Sequence, residues 1–177
     1  RGWKKGGHGK INLQDAIIES SNTFFFSLAY KSEIEELIKH LSYFGFGRNV
    51  CLDCFLPDNG LLPNPAWKMN TLNFGWFKGD TVNLGVGQGY MSATPLQLAY
   101  YSAFIANKGA LNKFSFVQDD KTLPKDVLYS GNIDDKDWEK IHKSMIGVIE
   151  QPKGTAGRLR ELKDYIIAAK SGTVELV

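Results

Sequence analysis

The sequence predicts an α/β (α+β) chain in which helices carry most of the length and a few short strands are set among them. Three observations carry this. Apolar residues recur at helical spacing in several stretches, and short apolar runs at Phe114–Val117, Val127–Tyr129 and Tyr165–Ala169 read as strands. The 177 residues, 43% of them hydrophobic, suit one domain or a large part of one, and such a chain buries about 70% of its unfolded surface.

Between Ile11 and Glu19 the residues Leu13, Ala16 and Ile17 follow a helical period, and a second helix follows the polar triplet Ser20-Ser21-Asn22, packing Phe25, Leu28 and Ala29. The triplet therefore sits at a helix junction. Ser32-x-x-Glu35 reads as a capping box for a helix with the stripe Ile34, Leu37, Ile38 and Leu41, closed by Gly45 and Gly47. Residues 48–80 hold Pro57, Gly60, Pro63 and Pro65 with Trp67, Phe74 and Trp76. They predict a long surface segment pinned by aromatics rather than regular structure.

Val82, Leu84 and Val86 alternate and run into Gly85-Val86-Gly87-Gln88-Gly89, whose glycines imply close backbone approach. This loop lacks both the G-x-G-x-x-G spacing of a dinucleotide site and the Lys-Ser/Thr of a phosphate loop. Thr94-Pro95-Leu96-Gln97 combines an N-cap, a first-turn proline and a capping-box glutamine, predicting a helix to about Asn107 with Gly109 beyond it. The strands at 114–117 and 127–129 flank an Asp119-Asp120-Lys121 turn. A helix carrying Trp138, Ile141, Met145, Val148 and Ile149 follows, Gly154-Thr155-Ala156-Gly157 breaks the chain, and Tyr165–Ala169 delivers Lys170-Ser171-Gly172-Thr173.

With 21 Lys+Arg against 19 Asp+Glu, the net charge is +2 and no long basic run occurs. Nucleic acid and anionic membrane surfaces are thereby excluded as expected partners. There is no signal-peptide pattern and no apolar run of the roughly 18 residues a bilayer span needs. The start at Arg1 and the β-branched end Thr173–Val177 lead us to expect a longer parent protein.

Cys51 and Cys54 form one isolated CxxC unit, read as semi-buried or free thiols. An extended chain would point residues three apart to opposite faces. His40 and His142 lie on helices as surface or boundary residues, and His8, in a glycine-rich turn, is read as structural. Asp80 and Thr81 shape the approach to the glycine loop.

Three polar clusters remain: Ser20 to Asn22, Gly85 to Gly89, and Lys170 to Thr173. Singly they also read as a helix cap, a turn and a strand end. Together, S-x-N followed far downstream by K-[ST]-G is the second and third signature of the serine acyl-transferases that react with penicillin. The residue types suit that chemistry. A serine nucleophile needs a base, a cation that relays a proton, and groups that hold the substrate in line. Lys170 offers the charge, Ser20 a hydroxyl that donates and accepts, and Asn22 both amide polarities. Ser171 and Thr173 suit a substrate carboxylate, and Gly172 leaves an edge bare for a substrate backbone.

The likeness continues through Trp3-Lys4-Lys5-Gly6-Gly7-His8-Gly9, Ser20 to Phe25, Phe44-Gly45-Phe46-Gly47, Gly79-Asp80-Thr81, Gly85 to Tyr90, Thr94 to Gln97, Gly154-Thr155-Ala156 and Ala168 to Thr173. In this order the segments resemble the class B penicillin-binding proteins, and within them the elongation type, penicillin-binding protein 2 of Gram-negative bacteria. The resemblance implies a peptidoglycan D,D-transpeptidase domain with helices flanking an antiparallel sheet. The implied site has Ser20 and Lys170 as catalytic groups and Asn22, Ser171, Gly172 and Thr173 as substrate-binding groups, with no metal or cofactor. The implied substrate is the D-Ala-D-Ala end of a stem peptide, which β-lactams mimic. The parent is expected at the periplasmic face of the inner membrane, held by an N-terminal helix, beside a membrane glycosyltransferase of the elongation machinery.

The family's first signature, S-x-x-K, is absent, since no serine here has a lysine three residues on. Residues 1–177 are accordingly expected to be a partial transpeptidase domain without the nucleophile segment and the final strands, inactive alone. Val174-Glu175 stands where the family more often has Ala-Gln. Two other readings are a non-catalytic binding module, prompted by the missing nucleophile, and a β-lactamase-type hydrolase, which the 48–80 segment and the Thr94 helix fit less well.

Overall fold

Two side chains that cap helices mark how local sequence becomes structure. Asn12 Oδ1 accepts from the Asp15 amide at 2.8 Å and opens α1, Leu13–Ile18. Thr94 Oγ1 accepts from the Gln97 amide at 3.2 Å while Gln97 Oε1 accepts from the Thr94 amide at 3.0 Å, the reciprocal box that opens α6, Pro95–Ala106. The computed structural model describes residues 3–54, 58–117, 133–162 and 164–173. Between these two helices lie α2, Asn22–Lys31, α3, Ile34–Tyr43, α4, Pro65–Leu72, and α5, Lys78–Leu84. They are followed by α7, Asp135–Glu150, and a 3-10 turn over Gly157–Glu161.

The helices meet through two apolar interfaces. Val50, Tyr100, Phe104 and Trp138 form a core between α6 and α7, flanked by Phe44, Leu96, Phe114 and Ile141. Further along α7, Val148 and Ile149 are buried with Ala16 and Ile18 of α1. Helix α2 lies on α5, and Gly85 permits the approach: a Cβ there would fall 2.4 Å from Ala29 Cβ. This is the close approach expected of the glycine loop. The helix predicted from Thr94 ends at Ala106, with Asn107 as its cap and Gly109 left-handed at φ 82°.

Several expectations are corrected. The capping box at Ser32 and Glu35 does not form: Glu33 is the N-cap of α3 and makes no side-chain cap. Ser32 instead ends α2, its hydroxyl donating to the Leu28 carbonyl at 3.0 Å, so the side chain faces back to the helix before it. The segment 48–80 is not irregular throughout. Asn64 Oδ1 accepts from the Trp67 amide at 2.8 Å and, with Pro65 in the first turn, starts α4. Asp80 Oδ2 accepts from the Phe77 amide at 2.7 Å and starts α5, so Val82 and Leu84 are helical. Buried Lys68 joins the two helices, its ammonium 2.6 Å from Asp80 Oδ2 and facing the Phe77 ring at 4.8 Å.

Cys51 and Cys54 are joined by a disulfide. The chain bends at Leu52 and Asp53 instead of running extended, which brings the two Cα atoms to 5.7 Å, within ordinary disulfide range. Asp53 fixes that bend, accepting from Ser115 Oγ and from the amides of Phe116 and Val117 at 2.5, 3.0 and 2.7 Å, which holds its carboxyl at about 2.

Among the described residues there is no strand, only isolated bridges between Cys51 and Phe114 and between Leu61 and Ser92. The run at 114–117 pairs at Phe114 alone, through the bridge to Cys51, the run at 165–169 forms no ladder among the described residues, and Ile166 stands 85% exposed. The expected strand at 127–129, the turn at 119–121 and residues 174–177 lie outside the described residues. No described helix is long and apolar enough to cross a membrane.

Candidate active site

The first half of the site is a kink between helices. Helix α1 ends at Ile18 with Glu19 as its cap, and Ser20 takes the left-handed conformation at φ 51° before α2 begins at Asn22. Non-glycine residues avoid that region at about 1 kcal/mol. At this reversal Ser20 stays half-buried while Ser21 goes fully inside.

The second half arrives on the stretch 164–173. The Ala169 amide donates to the Met145 carbonyl at 3.0 Å, so the stretch is tied to α7 directly before Lys170. Lys170 Nζ then donates to Ser20 Oγ at 2.6 Å, to the Ser171 carbonyl at 2.9 Å and to Ser171 Oγ at 3.4 Å. Because the ammonium donates, the Ser20 hydroxyl accepts and keeps its own proton free for another group. Partial desolvation of the Lys170 ammonium holds its pKa below the ordinary lysine value.

Of the other residues named from the sequence, Asn22 is exposed at the first position of α2, two residues from Ser20. Ser171 Oγ lies 2.8 Å from Thr155 Oγ1. Gly172 and Thr173 are exposed, and a Cβ on Gly172 would meet nothing within 4 Å. The Thr173 carbonyl accepts from Gln88 Nε2 at 2.5 Å. All three polar clusters thus meet at one place.

Thr155 and Gln88 are contacts that the motifs did not assign individually. Their signal was membership of the ordered segments at 154–156 and 85–90. A cleft lined by His8, Lys10, Ser21, Thr23 and Phe24 lies beside the Ser20 kink. His8 has its side chain 3% exposed and its Nδ1 2.9 Å from Glu19 Oε2, while His142 Nε2 lies 2.7 Å from the Ile105 carbonyl and His40 is on the exposed side of α3. Among the described residues, Cys51, Asp53 and Cys54 alone cluster closely enough to share a cation. Their sulfurs are bonded to each other, and the carboxylate is engaged by residues 115–117.

A profile described as the penicillin binding protein transpeptidase domain matches residues 1–177. The chain is 34% identical over 183 residues to the peptidoglycan D,D-transpeptidase MrdA of Escherichia coli K12, an alignment covering 99% of this chain and 29% of that protein. Its fold superposes on the crystal structure of Pseudomonas aeruginosa PBP2 in complex with WCK 5153, with a TM-score of 0.92 and 37% identity over 99% of this chain and 41% of that one. A complex between PBP2 and MreC from Helicobacter pylori is similar at a TM-score of 0.87 and 33% identity, over 99% of this chain and 33% of that one. The chain therefore spans about three tenths of the length of the curated relative.

Proposed function

Because the chain belongs to the penicillin binding protein transpeptidase domain family, we propose that it is part of a peptidoglycan D,D-transpeptidase that cross-links stem peptides through a serine acyl-enzyme. The observation that carries this reading is the Lys170 Nζ to Ser20 Oγ contact at 2.6 Å, made across 150 residues of sequence. The nucleophile comes from an S-x-x-K segment outside these 177 residues. Its hydroxyl attacks the carbonyl of the penultimate D-Ala and D-Ala leaves. An amine of a second stem then takes the acyl group and releases the serine.

In this reading Lys170 and Ser20 form the proton relay, with the lysine's charge favouring the incoming carboxylate. The Asn22 amide hydrogen-bonds the substrate peptide. Ser171 and Thr173 hold the terminal carboxylate, and the open space over Gly172 admits the substrate backbone. β-Lactams occupy the same groove. In this reading the exposed run 165–169 belongs to an antiparallel sheet whose final strands lie outside residues 1–177, which form a partial domain. The parent is anchored at the periplasmic face of the inner membrane and works beside a membrane glycosyltransferase and the elongation machinery.

Labelled penicillin should acylate the parent protein, and Lys170→Ala or Asn22→Ala should slow acylation by about tenfold or more, the scale of lost positioning and charge stabilisation. Ordinary acylation of both variants would sink the site assignment. The 177-residue chain alone should take no label.

A further inference from the structure

Glu19 belongs to none of the three polar clusters, yet its carboxylate is one of the most heavily partnered groups near them. Its side chain is 7% exposed. Oε2 lies 2.8 Å from Lys4 Nζ and 2.9 Å from His8 Nδ1, and Oε1 lies 3.6 Å from Lys153 Nζ. Its backbone carbonyl accepts from Trp3 Nε1 at 3.0 Å, and its amide donates to the Asp15 carbonyl at 2.9 Å. Both ends of the residue are therefore held.

Two consequences follow from where those partners come from. Glu19 immediately precedes Ser20, whose left-handed backbone is unfavourable for an L residue and persists only when its neighbours are fixed. Lys153, which Glu19 shares with Asp15 Oδ1 at 2.5 Å, lies two residues before Thr155, whose hydroxyl touches Ser171. Glu19 thus holds the turn that presents Ser20 and, sharing Lys153 with Asp15, reaches the loop that supports Ser171, while Lys170 bridges those two serines.

We propose that Glu19 is a positioning residue for the Ser20–Lys170 pair, fixing the Ser20 turn through Lys4, His8 and Trp3 and the Thr155–Ser171 contact through Lys153. This rests on the transpeptidase reading above. The hydrogen bonds from Lys4 and His8 outweigh burial and hold the Glu19 carboxyl at about 2, so the tether is anionic at neutral pH.

The test is stopped-flow acylation of the full-length parent by a labelled penicillin, resolving the non-covalent Kd from the first-order acylation constant. Glu19→Gln keeps the shape and removes the charge, and should lower the acylation constant about tenfold with Kd within about twofold. In a Ser20→Ala background the same change should add less than about twofold, because Glu19 acts through Ser20.

A Glu19→Gln protein with the wild-type acylation constant, measured beside a Lys170→Ala protein that is slow, overturns the proposal and leaves the transpeptidase site standing. If Lys170→Ala is itself normal, the underlying reading fails first. An equal loss in both Ser20 backgrounds marks general structural damage and also overturns it. Should Glu19→Gln not fold, Lys153→Ala measured beside Asp15→Asn, which removes only the other carboxylate on Lys153, decides: a slower acylation constant at unchanged Kd in the lysine variant but not in the aspartate variant supports the tether, and wild-type kinetics of Lys153→Ala or an equal loss in both overturns it.

Discussion

Gln88 and Thr173, 85 residues apart, meet through a hydrogen bond from the glutamine amide to the threonine carbonyl. That contact attaches the glycine loop after α5 to the stretch bearing Lys170. Loss of one such bond is worth about 1 kcal/mol, or roughly fivefold. Gln88→Ala in the parent should therefore reduce β-lactam acylation about fivefold without lowering the melting temperature appreciably. An unchanged rate would show that the loop does not position the Lys170 stretch.

Lys170 carries a pH signature. Burial lowers its pKa below 10.5, so the ammonium is lost earlier than in an exposed lysine as pH rises. If the ammonium is the working form, acylation of the parent should decline on the alkaline side at a midpoint below 10.5. Lys170→Arg, which stays protonated, should remove that limb. A decline identical in both proteins would assign it to another group.

Glu19 sets an acid limit on stability. Its folded pKa is lowered from 4.5 to about 2, so its contribution is complete above about 4.5 and disappears as pH falls through about 2. Melting temperatures from pH 7 to pH 2 should fall across that window. Glu19→Gln should start lower at pH 7 and fall less steeply, and parallel curves would contradict the linkage.

Gln97 is 1% exposed and does more than close its capping box. Its Nε2 reaches the carbonyls of Gly45, Arg48 and Asn59 at 3.0, 3.0 and 2.6 Å, pinning the loops before and after Cys51 to α6. Gln97→Met keeps the volume but strands those carbonyls, and should cost about 2–4 kcal/mol by denaturant unfolding. Gln97→Glu should do no better, because a carboxylate cannot donate. A loss under about 1 kcal/mol would mean that water replaces the amide.

Elements governed by nearest neighbours were legible. Thr94, Pro95 and Gln97 specify α6 within four residues, and the stripe from Trp138 to Ile149 specifies the buried side of α7. Helices α4 and α5 are obscured in the sequence because Pro57, Pro63 and Pro65 crowd the region. Pro65 with Asn64 is in fact a start signal. The run 165–169 looked like a strand by composition, but a strand requires a partner that composition cannot supply. An extended chain would keep the thiols of Cys51 and Cys54 apart, whereas Asp53 makes a bend there through residues 115–117.

The site divides along the same line. Residue order alone determined which chemistry was on offer: hydroxyls at 20 and 171, an amide at 22, an ammonium at 170 and a bare position at 172. Folding decided that Lys170 reaches Ser20, that Thr155 and Gln88 support the same stretch, and that Glu19 stands behind it. Helical period and capping act over three or four residues and can be read along a chain. A contact across 150 residues depends on how α7 packs on α1 and where Met145 holds Ala169, which is set by the burial of Ile18, Val148 and Ile149 against one another.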